Sequence, residues 1–208
     1  TTKIAYLIEE KNINPYSILA LTFTNKAARE MKERAMNLCR EAEHTMLKTF
    51  HSFGVWFLRQ YASFAGLEKY FTIYDVEASC SLLAHIKLRI TQKEKDENKF
   101  SKVEEIKGDN GEKVFEVSLS QQEVKHFYEK ISRAKDYCIT EDSPSLSKID
   151  SSSVFKTLYQ EYQKRLKETG NVDFGDLILL PIFVLKNYQE IRAKMQNKFK
   201  GKQWLIHY

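Results

Sequence analysis

The chain is 208 residues long, 42% hydrophobic and 29% charged, with only 7 glycines and 3 prolines, a balance that excludes a disordered chain or a turn-rich all-β protein and leaves room for one domain with an insertion. Its longest apolar runs, Leu177 to Pro181 and Trp204 to Ile206, fall well short of the roughly 20 residues that cross a bilayer, so no membrane partner is expected, and the three widely spaced cysteines, Cys39, Cys80 and Cys138, suit a reducing cytoplasm. The net charge of +5 is compatible with a phosphate backbone as partner, although charge alone favours a merely solvated basic surface.

Taken in order, Ile4, Leu7 and Ile8 recur at helical spacing with no capping residue ahead of them, so the chain is expected to begin inside an element. After the turn-like Asn14-Pro15, the continuous apolar run Ile18 to Leu21 predicts a strand covered on both faces of a parallel sheet. Thr24 or Asn25 can cap the following helix, whose stripe is Ala28, Met31, Ala35 and Leu38. A second unit of the same kind is predicted from Met46 to Phe50 as a strand, His51-Ser52 as a turn, and a helix carrying Val55, Leu58, Tyr61, Ala62 and Ala65. Two such units in succession favour an α/β sheet.

Between Asp75 and Ile191 the strand signal nearly vanishes. Helical stripes replace it, Val124, Phe127, Tyr128 and Ile131 in one place and Phe155, Leu158, Tyr159 and Tyr162 in another, which predicts a helical insertion. Within it Thr91 to Ser101 is strongly charged, Gly108 to Gly111 is a turn signal for a small hairpin, and Ser143 to Ser153 is a polar linker. The chain ends on Trp204 to Tyr208, which predicts a buried strand with no loop after it.

Chemistry concentrates in three strings. Thr22-Phe23-Thr24-Asn25-Lys26, with Arg29 one turn on, puts a ring and polar groups at the C-terminal end of a strand, the edge where open α/β sheets bind ligands. Phe23 can stack a base while the helix N-terminus and Lys26 meet phosphate; the plainer alternative is a core Phe23 with Thr24-Asn25 acting only as caps. Thr49-Phe50-His51-Ser52-Phe53 repeats the theme, with a buried turn histidine as the alternative for His51. Val172-Asp173-Phe174-Gly175-Asp176 contains a third ring, and its Asp173 and Asp176 suit a loop-holding role. Asp-Phe-Gly also spells the kinase magnesium motif, but no glycine-rich loop or His-Arg-Asp accompanies it.

The run Ala20 to Met31 closely resembles motif Ia of the UvrD/PcrA/Rep-type superfamily 1 helicases. Thr49 to Phe53 is similar to the family's next DNA-contacting motif, and Val172 to Ile178 to the segment that closes its inserted helical subdomain, in the same order. Gly175 stands where the family usually shows an acidic residue. The resemblance implies a partial RecA-like fold, α/β by origin and mostly α by content, with a few-stranded parallel sheet: residues 1–75 in subdomain 1A, 76–190 in the helical insertion 1B, and 191–208 returning to 1A. It implies single-stranded DNA contacts at Thr22, Phe23, Thr24, Asn25, Lys26, Arg29, Thr49, Phe50, His51, Ser52, Asp173 and Phe174, and single/double-strand junctions as substrates.

The parent enzyme so implied uses ATP and magnesium to move 3′ to 5′ and serves DNA repair or replication in a bacterial cytoplasm, near the nucleoid. The phosphate-cradling Gly-x-x-x-x-Gly-Lys-Ser/Thr is absent from the chain, since Gly201-Lys202 is followed by Gln203. Asp96-Glu97 lies in the charged stretch rather than after an apolar strand. The resemblance puts both halves of the ATP site just beyond the two termini, so the chain alone is expected to bind neither ATP nor magnesium, to be inactive, and to be prone to self-association through exposed apolar sheet. Cys39, Cys80 and Cys138 with His44, His85, His126 and His207 form no metal-ligand spacing, and no nucleophile has a base beside it. Tyr159 and Tyr162 could meet duplex DNA, but an aromatic helical stripe reads first as core. The competing reading is a non-catalytic DNA-binding or interaction module of a related helicase-nuclease subunit.

Overall fold

A computed structural model describes residues 1–108 and 111–199, and the backbone of 205–206. The described chain is mostly helical with small sheets and forms two compact units, one from 1–65 together with the described residues from 180 on, the other from 66–179.

In the first unit, α1 (Thr2–Glu9) buries Ile4, Ala5 and Leu7, and β1 (Leu19–Thr22) is buried at all four positions, as its unbroken apolar run requires. Thr24 then caps α2 (Asn25–Leu38) by accepting the Ala27 N–H at 3.1 Å. Ala35 of the predicted stripe is buried, whereas Leu38 is exposed at the helix end. β2 (Met46–Thr49) pairs parallel with β1, Thr22 opposite Thr49, and runs straight into α3 (Phe50–Tyr61).

The turn expected at His51-Ser52 is therefore corrected: both residues lie in the first turn of α3. The reason is Thr49, which is at once the last, still extended residue of the strand and the cap of the helix, its Oγ1 accepting the Ser52 N–H at 3.1 Å.

The second unit departs most from the sequence expectation. This compact unit starts at residue 66, and its β3 (Thr72–Tyr74) pairs in parallel with a strand far downstream in the same unit. After α4 (Val76–Ala84) come β4 (Lys87–Ile90), α5 (Gln92–Glu97), β5 (Val103–Lys107) and β6 (Lys113–Ser118). The three strands form an antiparallel sheet in the order β4-β6-β5, so the insertion is not purely helical. β4 and β6 alternate over only a few residues, Leu88 and Ile90 inward with Lys87 and Arg89 outward in β4, whereas β5 half-buries Val103 and Ile106 with two exposed glutamates between them, and the surrounding charge hides so short a signal. The β5–β6 hairpin is present; Asp109 and Asn110 of its turn lie outside the described residues, and Gly111 takes φ +75° beside them.

Two long helices, α6 (Gln121–Asp136) and α7 (Ser153–Glu168), cover that sheet. The polar stretch between them folds into a short 3-10 turn at Pro144–Lys148 that buries Leu146. Phe127 of α6 stacks on Phe155 of α7, ring centroids 6.3 Å apart, and Tyr159 and Tyr162 are fully buried, so the core role is the one they take. β7 (Asn171–Asp173) is the partner of β3, with Asp173 opposite Tyr74. α8 (Asp176–Asn187) leads out of this unit, and α9 (Gln189–Lys198) packs Ile191 and Met195 inward. β8 (Leu205–Ile206) joins β1 in parallel, giving the order β2-β1-β8. Trp204, His207 and Tyr208 of the predicted final strand lie outside the described residues. No helix among the described residues is long and apolar enough to cross a membrane.

Candidate nucleic-acid interface

In the first unit the β1–β2 register brings two of the three strings together. Because Thr22 and Thr49 sit opposite each other and both strands run the same way, each string leaves the sheet at its C-terminal edge. Thr22 and Thr49 are buried as the last sheet residues. Phe23 follows at 60% exposure, with its ring 5.4 Å from that of half-buried Phe50. Thr24, Asn25, Lys26, Arg29 and His51 are exposed, and Ser52 is half-buried against Thr49, whose hydroxyl donates to Ser52 Oγ at 2.8 Å.

A hollow of about 300 Å³ opens here, lined by Thr22, Phe23, Thr24, Ala27, Glu30, Met31 and Arg34. Two helices, α2 and α3, begin at or just past these strand ends, and a helix N-terminus suits an anionic partner. Lys26 and Arg34 both lean on Glu30, at 3.9 and 3.7 Å, in surface pairs weak enough to be exchanged for phosphate. Glu30 and Arg34 are not among the residues that the sequence singles out, although their i+4 spacing from Lys26 brings them to one face of α2.

The third string is in the second unit. Phe174 is 44% exposed between β7 and α8. Asp173, expected both to hold the loop and among the DNA contacts, is 3% exposed, and its Oδ2 receives Lys135 Nζ at 2.6 Å and the Tyr162 hydroxyl at 3.0 Å. A carboxylate so enclosed and so partnered holds the loop rather than meeting a solvent-borne ligand. Lys135 Nζ also lies 2.8 Å from Asp176 Oδ1, and the two aspartates exchange backbone hydrogen bonds, Asp176 N–H to Asp173 Oδ1 at 3.0 Å and Asp173 N–H to Asp176 Oδ2 at 3.2 Å.

Burial raises the Asp176 carboxyl to about 6, against the pull of Lys135 and with a further push from Asp173. Burial likewise pushes the Tyr162 phenol upward, so it stays a donor. Lys135 was missed in the sequence, although it continues the apolar stripe of α6 from Val124 through Ile131, where a lysine is out of place. Among the described residues no group of His, Cys, Asp and Glu could hold a metal ion.

The family model for the UvrD/REP helicase N-terminal domain matches residues 1–201. An ATP-dependent DNA helicase PcrA from Staphylococcus aureus is 34% identical over 201 residues, which are 96% of this chain and 24% of that protein. The PcrA helicase of Staphylococcus epidermidis is 35% identical over 202 residues, again 96% of this chain and 24% of the relative. The chain thus spans about a quarter of the length of the curated relatives it matches.

Proposed function

Because the chain belongs to the UvrD/REP helicase N-terminal domain family, we propose that it is part of the motor of an ATP-dependent DNA helicase and supplies surfaces that hold single-stranded DNA. The observation that carries this reading is the shared sheet edge of the first unit, where Phe23 stands exposed beside Phe50 and α2 and α3 begin. Phe23 stacks a base, which every base permits, so binding is indifferent to sequence. Lys26 and Arg29, with the α2 N-terminus capped by Thr24, take backbone phosphates; Asn25, His51 and Ser52 add polar contacts along the strand. Phe174 offers a second stacking face from the second unit. In this proposal Asp173 holds the Phe174 loop and makes no contact with DNA.

In the parent protein ATP hydrolysis with magnesium drives 3′ to 5′ movement and opens duplex at single/double-strand junctions, in DNA repair or replication. The residues here do not fit the nucleotide: no glycine of the chain belongs to a phosphate-cradling loop, and no described acidic cluster suits a metal. No catalytic step is therefore assigned to them. The chain alone is expected to release no phosphate from ATP and to unwind nothing; magnesium-dependent hydrolysis that survives stringent purification would overturn this.

The central test is Phe23→Ala in the full-length protein, titrated with a fluorescent oligothymidylate. Losing one stacked base costs roughly 1 to 3 kcal/mol, so the Kd should rise by about 5- to 150-fold. An unchanged Kd rejects the stacking role.

A further inference from the structure

Lys135 is a charged residue in an apolar place. It is 1% exposed, on the inward face of α6, and an ammonium survives there only with full ionic and hydrogen-bond partners. Its Nζ takes one oxygen from each of two carboxylates, Asp173 at 2.6 Å and Asp176 at 2.8 Å. Those carboxylates bind each other's backbone N–H groups, as described above, so the four-residue turn is closed from within by its aspartates and from below by a cation 38 residues away in sequence. Inside the closed turn are only Phe174 and Gly175.

The stem of Lys135 matters as much as its charge. A Cβ built on Gly175 would stand 2.6 Å from Lys135 Cδ and 2.8 Å from Lys135 Cβ, so the lysine methylenes already occupy the space that any side chain at 175 needs. Lys135 and Gly175 are two halves of one fit. Phe174, the neighbour of that glycine, is left exposed on the outer side.

We propose that Lys135 is a positioning residue for DNA binding: its ammonium and stem, seated against Gly175, fix the 173–176 turn in the conformation that presents Phe174 to a base. The proposal rests on the reading that Phe174 stacks on single-stranded DNA. Without the cation two carboxylates in mutual contact repel, and the turn they close loses its shape. With a side chain at 175 the charges survive but the stem must move, carrying the ion pairs with it. Both changes act on Phe174 while leaving it in the sequence.

The test is a set of single and double variants of the full-length protein, each titrated with fluorescent oligothymidylate and followed by thermal melting. Phe174→Ala should weaken binding by about tenfold. Lys135→Met and Gly175→Ala should each weaken it several-fold in the parent background and scarcely at all when added to Phe174→Ala, because they act through that ring. If Lys135→Met is unfolded at the assay temperature, Gly175→Ala decides, since it leaves every charge in place.

Three outcomes overturn the proposal, and they differ. Phe174→Ala with unchanged affinity sinks the underlying DNA reading and the inference with it. A weakened Phe174→Ala beside unaffected Gly175→Ala and Lys135→Met sinks the inference alone. Equal losses in the presence and absence of Phe174 make Lys135 a general support of the fold and not a positioning residue.

Discussion

Two exposed phenylalanines are held out to solvent by opposite means. Phe23 leaves a fully paired parallel strand and enters a helix capped by a hydroxyl, so its support is backbone hydrogen bonding, and the charges around it, Lys26, Arg29 and Arg34, remain in water. Phe174 sits on a short turn whose support is a buried cation bridging two buried carboxylates. The same residue types change jobs with burial. A lysine in water attracts phosphate from a distance at little cost to the fold, whereas one in the interior cannot attract a ligand but can dictate backbone shape.

The largest test of this contrast is stability. Lys135→Met leaves Asp173 and Asp176 buried without their cation and should cost about 3 to 5 kcal/mol in urea denaturation, while Lys26→Met should stay within about 0.5 kcal/mol. Similar losses would erase the distinction. Next comes binding, where Phe23→Ala and Phe174→Ala should each cost about 1 to 3 kcal/mol, and the doubly substituted protein shows whether the two surfaces serve one strand. A smaller effect belongs to the cap: Thr24→Ala removes the acceptor for Ala27 N–H and should lower stability by about 1 kcal/mol in thermal melts.

Salt sharpens the comparison further. If Lys26 neutralises a phosphate, Lys26→Ala should flatten the slope of log affinity against log salt by about 0.7, and Lys135→Met should leave the slope alone. A changed slope for Lys135 would mean that it senses phosphate after all.

The smallest net effect is that of pH, because opposing groups offset one another. Asp176 titrates near 6 when folded against 3.8 ordinarily, so between those values the folded protein holds the extra proton. Its contribution to stability is full below about pH 4 and is lost as pH rises through 6. Glu94, held low by the Ser153 hydroxyl and the Thr91 N–H, works the other way and loses its contribution as pH falls. Asp176→Asn should remove the decline between pH 4 and 6 and spare the acid side, as read from urea midpoints. A decline that persists in the variant assigns it to another group.

Much of the first unit was legible because its signals are local. An unbroken apolar run became a strand buried at every position, and Thr24 became the cap that its place predicted. The His51-Ser52 turn was misread because one residue, Thr49, ends the strand and caps the helix together. The three-stranded sheet of the second unit is hidden by its brevity and charge, with alternation only a few residues long in β4 and β6 and none in β5. For Asp173 the sequence leaves both a loop-holding role and a DNA contact open, since whether a carboxylate faces water or a lysine depends on what lies across the core.

Local order along the chain, by itself, determined the strand-to-helix units, the strings at their edges, the kinship with helicases and the want of a phosphate-cradling loop. These rest on near neighbours and on spacing, which a linear text preserves. Only tertiary structure decided that Thr22 meets Thr49, that Phe23 lies against Phe50, and that Lys135 reaches Asp173 and Asp176 while filling the place of a side chain at Gly175. Each of those depends on chain segments brought together by packing, and pairing across such separations leaves no periodic mark in either partner.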